Sequence, residues 1–113
     1  MRLTKKKALD ITIELWTYLA ETGKSKSRWS GWKKYGEMEA DCPCCEYGSR
    51  HQGCAVCPID EVYEYGCNNM EFGYNDWENA TTKSGKEKCA KIVLENLIKI
   101  KEKLWKLKLG KIL

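Results

Sequence analysis

Five of the seven cysteines and the single histidine fall between Asp41 and Cys57. Within that stretch Cys42 and Cys45 form one C-x-x-C, and Cys54 and Cys57 form a second, with eight residues between the pairs. Two residues between cysteines let a tight turn aim both sulfurs at one point. Two such turns supply four thiolates, the closed tetrahedral set of a structural zinc site. The expected cofactor is therefore structural zinc on Cys42, Cys45, Cys54 and Cys57. Cys44, His51 and Cys67 are alternative ligands, able to replace one of the four. For His51 the competing reading is a plain loop residue, because two complete C-x-x-C pairs already fill the set. For Cys67 and Cys89 it is a small buried apolar thiol.

Other chemistry is poorly represented, and the chain reads as a non-enzyme. Four thiolates leave no open coordination position, so such a zinc cannot activate water. His51 is followed by Gln52-Gly53, and Pro43 precedes Cys44-Cys45, so the zinc-deaminase pattern is missing. There is no His-Glu-x-x-His, no phosphate-cradling glycine loop and no G-x-S-x-G. A redox use of Cys54-Ala-Val-Cys57 would need a βαβ setting, which is not readable here.

The elements that must hold the cysteine loop lie at the two ends of the chain. Residues 5–22 read as an amphipathic helix: Ala8, Ile11, Leu15 and Tyr18 recur at spacings of three and four. Leu9, Ile13, Trp16, Leu19 and Ala20 widen its apolar face past half the circumference, so more than one partner must cover it. Thr4 serves as N-cap and Gly23 as the stop. The last helix, about 84–109, is expected to open with a capping box, Ser84 and Glu87, and to end at Gly110. Ala90, Val93, Leu97, Ile100, Leu104 and Leu107 form its seam, broadened by Leu94, Ile98 and Trp105.

Between the helices, residues 24–40 form an aromatic connector. Trp29, Trp32 and Tyr35, interleaved with Arg28, Lys33 and Lys34, either fold back over the first helix or stack on single-stranded nucleic acid. The zinc loop follows at 41–58. The irregular segment 59–82 begins with Ile59, Val62, Tyr63 and Tyr65, which suit a turn of helix or a short edge strand. Within it a short helix starts at Asn75 or Asp76, with Trp77 turned inward. The expected architecture is a single, mainly α domain over 1–113. Two long helices pack together, antiparallel or nearly so, capped by the cysteine-rich zinc loop with little or no strand.

With 113 residues the core is adequate but thin, so the metal carries much of the stability. No apolar run approaches the roughly 18 residues of a membrane span. The basic start Met1–Lys7 resembles a signal-peptide n-region, but Asp10 and Glu14 interrupt the stretch behind it. A cytoplasmic protein is expected, where thiols stay reduced and seven cysteines point to metal.

The net charge of +4 conceals a segregation. Residues 1–34 carry nine Lys and Arg against three acids, and residues 83–113 carry ten Lys against three. Residues 35–82 carry ten acids and one base, Arg50. A zinc module for nucleic acid usually keeps basic residues beside its metal loops. Here acids stand there, which favours a basic protein surface as the partner of the middle segment.

Four stretches together resemble small cysteine-rich proteins encoded in phages and prophages: Ile11 to Gly23, Trp29 to Gly36, Asp41 to Tyr47 and Asp76 to Ala80. The shared C-P-x-C core falls on Cys42, Pro43 and Cys45, with Cys44 at a variable place. Some small phage metalloproteins of this kind inhibit host CRISPR effector nucleases. The resemblance implies an anti-CRISPR acting on a type II effector in the host cytoplasm. On that reading the acidic middle, Glu37, Glu39, Asp60, Glu61 and Glu64, docks on a basic patch with Tyr63 and Tyr65 as anchors, blocking target-DNA loading. The plain alternative for those acids is a solvated face. Net basicity argues against wholesale DNA mimicry. One rival is a nucleic-acid binder using the lysine face of the last helix; another is a structural subunit of a phage particle.

Overall fold

A computed structural model describes residues 3–36, 42–44, 46–47, 58–63, 69 and 71–112, with backbone only at 60, 61 and 105–112. Helix α1 (Lys5–Thr22) begins as expected. Thr4 is extended at φ −91°, ψ 164°, and its Oγ1 accepts the Lys7 N–H at 3.1 Å, satisfying one orphan donor of the first turn. Gly23 ends the helix at φ 66°, donating its N–H to the Leu19 carbonyl at 3.0 Å. A Cβ there would also lie 2.7 Å from Lys83 Cγ, so glycine is needed for both conformation and space. Ala8, Leu9, Ile11, Thr12, Leu15, Trp16, Leu19 and Ala20 are buried, most of the predicted face plus one threonine, while Ile13 and Tyr18, also expected on it, are half-buried.

The connector makes a 3₁₀ turn (Lys26–Arg28) and helix α2 (Gly31–Tyr35). It folds back on the body of the protein. Trp29 is buried, packs on Trp32 at a centroid distance of 5.1 Å, and lies on Gly31, where a Cβ would meet the indole at 2.2 Å. The Tyr35 hydroxyl donates to the Glu14 carboxylate of α1.

Helix α3 (Pro58–Val62) resolves the helix-or-strand ambiguity, with Pro58 at the first helical position, where its missing N–H is harmless. Ile59 is buried, and Tyr63 meets Phe72 edge to face at 5.3 Å. Helix α4 (Tyr74–Asn79) starts earlier than the expected Asn75 or Asp76. Gly73, at φ 98°, turns the chain against the last helix, 3.1 Å from Ile92 Cγ2 to a notional Cβ, so the helix begins at the next residue. Trp77 is buried, as predicted.

Helix α5 (Lys83–Ile112) has 30 residues. At 1.5 Å per residue it is about 45 Å long. That length sets the 44 Å long axis of the molecule. The Ser84–Glu87 capping box does not form. Thr82 caps instead, its Oγ1 accepting the Gly85 N–H at 3.0 Å and its carbonyl the Lys86 N–H at 2.9 Å. Ser84 is already inside the helix, and Glu87 reaches Lys83 at 4.0 Å. Nor does Gly110 stop the helix, which continues to Ile112. A helical glycine costs only about 1 kcal/mol relative to alanine, so it permits a stop without enforcing one.

Asp10 pairs with Lys101 at 2.8 Å, while Gly23 abuts Lys83 and Glu87. Low numbers on α1 therefore meet high numbers on α5, and the two long helices run antiparallel. Ala90, Val93, Leu97 and Ile100 are fully buried in their seam, with Leu104 half-buried. Leu94 is half-buried beside them, but Ile98 is 41% exposed and does not broaden the seam. Its position points away from α1, a face on which neighbouring Glu95, Lys99 and Glu102 are also exposed. The fold is mainly helical, with no strand among the described residues.

Candidate metal centre

Cys42 starts a turn in which Pro43, Cys44, Glu46 and Tyr47 are helical and the Glu46 N–H bonds the Cys42 carbonyl at 2.9 Å. In a helical turn, side chains three apart share a face and adjacent ones do not. Cys42 and Cys44 are thereby divided. Cys42 is half-buried, whereas Cys44 is completely enclosed against α1. Cys44 Sγ lies 3.2 Å from Thr12 Oγ1 and 3.9 Å from the Ala8 carbonyl. Thr12 itself donates to that carbonyl at 2.7 Å. Either group can donate in the contact between the Cys44 thiol and the Thr12 hydroxyl. Cys44 acts as a buried core residue in polar contact with Thr12 and the Ala8 carbonyl. Pro43 beside it is also fully buried, and Glu46 is 5% exposed.

Cys42 fits the donor role, being a half-buried thiol at the head of a tight turn. Its proposed companions Cys45, Cys54 and Cys57, and the alternatives His51 and Cys67, lie outside the described residues. Among the described residues no three His, Cys, Asp or Glu side chains gather closely enough to hold a metal ion. Cys89 is half-buried in the second turn of α5.

Of the proposed docking residues, Glu37, Glu39, Glu64 and Tyr65 also lie outside the described set. Asp60 and Glu61 sit on the backbone of α3, and Tyr63 is half-buried against Phe72. Lys34 is exposed, 3.7 Å from Glu14. A hydrogen bond with Tyr35, and then the charge of Glu14, hold its pKa above the usual lysine value.

Sequence reasoning passes over several residues that organise this region. Thr12 stands among apolar neighbours at i−1, i+3 and i+4, and its small hydroxyl on that stripe is a signal of a buried polar contact. Asn96 leaves no comparable trace. Its Nδ2 donates to the carbonyls of Glu71 at 3.2 Å and Phe72 at 2.9 Å, clipping the approach to α4 onto α5.

No protein-family model matches the chain, and no curated protein or solved structure matches it. What the fold defines is a small helical protein built on an antiparallel pair of long helices. No helix among the described residues is long and apolar enough to cross a membrane.

Proposed function

We propose that this is a non-catalytic, zinc-clasped binding protein that inhibits a type II CRISPR effector nuclease in the host cytoplasm by blocking target-DNA loading. The observation that carries the reading is the charge segregation, with ten acids and one base in residues 35–82 between two strongly basic ends. An acidic segment beside the metal loops suits a positively charged protein groove better than it suits a polyanion. The family suggestion comes from the phage-like stretches around Cys42, Pro43 and Cys45.

Cys42, Cys45, Cys54 and Cys57 would hold the metal, with Cys44 reserved for the helix core. Bound there, zinc supplies folding energy and no reactive coordination position. The protein's own residues do the binding, and Asp60, Glu61 and Glu64 are the first to reverse in charge.

Pull-down of an effector nuclease with and without guide RNA, followed by a target-DNA gel shift, tests the reading. Association with the nuclease and loss of its DNA binding are expected. Lysine at Asp60, Glu61 and Glu64 together should weaken both. If the chain captures no nuclease, yet shifts bare DNA with an affinity that falls steeply with salt, the nucleic-acid reading replaces this one. The exposed Lys88, Lys91, Lys99 and Lys103 of α5 favour that second reading. Glu95 and Glu102 on the same helix weaken it by diluting the positive field.

A further inference from the structure

Three rings from two helices surround one ammonium group. Trp16 of α1 lies 4.9 Å from Trp77 and 6.0 Å from Tyr74, both of α4, measured between centroids. Its plane is turned 74° and 73° from theirs, while Tyr74 and Trp77 are tilted 39° from each other at 6.0 Å. Lys26, from the 3₁₀ turn, places Nζ over all three rings, at 4.7 Å from Tyr74, 5.4 Å from Trp77 and 5.6 Å from Trp16. Each distance is within the roughly 6 Å over which a ring face attracts a cation.

The occupant matches the box imperfectly. A lysine ammonium has three N–H donors. Among the described residues it finds one acceptor here, the Tyr74 hydroxyl at a long 3.4 Å, and no carboxylate within ion-pair distance. Methyl groups on that nitrogen would keep the charge, set apolar surface against the three ring faces and dispense with N–H donors for which ring faces are poor partners. The Trp77 ring also attracts a second ammonium, Lys86 Nζ, at 4.4 Å.

We propose that Trp16, Tyr74 and Trp77 form a binding site for a methylated ammonium group, which Lys26 occupies as an internal stand-in. The Lys26 backbone stays anchored, its carbonyl accepting the Trp32 indole N–H at 2.8 Å and the Trp29 N–H at 3.1 Å. A site filled by its own chain binds an outside ligand with an affinity reduced by the fraction of time it stands open. Removing the stand-in should restore that loss. The site requires neither zinc nor a nuclease.

The test titrates the full-length chain and its Lys26→Ala variant with tetramethylammonium chloride and, separately, with free trimethyllysine. Unmethylated lysine at matched ionic strength is the control, and the readout is the indole N–H resonances of Trp16 and Trp77. Saturable shifts are expected in both proteins, about tenfold tighter in Lys26→Ala. Trp77→Leu added to that variant should abolish them. Trimethyllysine binding tighter than tetramethylammonium would assign the group to a side chain, and the reverse to a small free cation. The proposal falls if neither compound gives saturable shifts in the natural chain, which needs no variant to fold. It falls equally if lysine and trimethyllysine act alike on Lys26→Ala.

Discussion

Cys44 and Cys42 are two residues apart and have opposite fates. The helical turn that begins at Cys42 sends the Cys44 sulfur to Thr12 at 3.2 Å and leaves Cys42 half-buried. Their variants should separate accordingly. Cys44→Ala is expected to keep the full metal content of the natural protein while losing about 1–3 kcal/mol of stability, as core truncations do. Cys42→Ala is expected to lose the metal. Elemental analysis and denaturant melts on the two proteins check this, and loss of metal from Cys44→Ala would place its sulfur in the ligand set instead. The spacing of C-x-x-C exposes a metal pattern in the sequence, but a run of three candidate thiols around one proline does not say which sulfur turns inward. That depends on a helix 32 residues away in the chain.

At the scale of elements, helix ends are decided by which hydroxyl reaches an orphan N–H. Thr82 and Ser84 are chemically similar, and the glutamate three residues after Ser84 makes the later cap the more visible one in sequence. The chain uses Thr82, because Lys86 donates its side-chain N–H groups to the carbonyls of Trp77 at 2.6 Å and Glu78 at 3.2 Å. That contact caps the end of α4 with a cation, where the helix dipole favours one, and draws the start of α5 close. Thr82→Ala should cost about 0.5–2 kcal/mol. Ser84→Ala, at an exposed helical position, should stay within about 0.5 kcal/mol. Comparing the two by urea denaturation tests the assignment directly. The first helix's ends and the seam of the last were legible, since Thr4, Gly23 and the residues from Ala90 to Ile100 at seam positions behave as their periodicity requires, whereas both ends of the last helix were not.

For the whole molecule, the long helices and their aromatic cover supply one body of burial, running from Leu3 to Ile100. The described part of the cysteine region adds Pro43, Cys44 and Glu46 to it, with few aliphatic side chains of its own. If zinc closes that region, a strong chelator should lower the melting temperature and release metal in stoichiometric amount. The apparent binding energy of structural zinc, on the order of 10–16 kcal/mol, rivals the net stability of a domain. A melting curve unmoved by the chelator would remove zinc from the account and leave the helical pair standing alone.

Local pattern alone was enough to specify the two long helices, the apolar face of the first and the seam of the last, the first helix's caps and the inward turn of Trp77. Those features depend on residues within a turn or two of each other, and helical periodicity transmits them. The separation of Cys44 from Cys42, the Asn96 clip and the ring cage around Lys26 required the tertiary fold. Lys26 and Tyr74 are 48 residues apart, and only the docking of α4 beside α1 brings them together. A lysine between two serines carries no mark of the three rings that will surround it, because their faces converge only when separate helices pack.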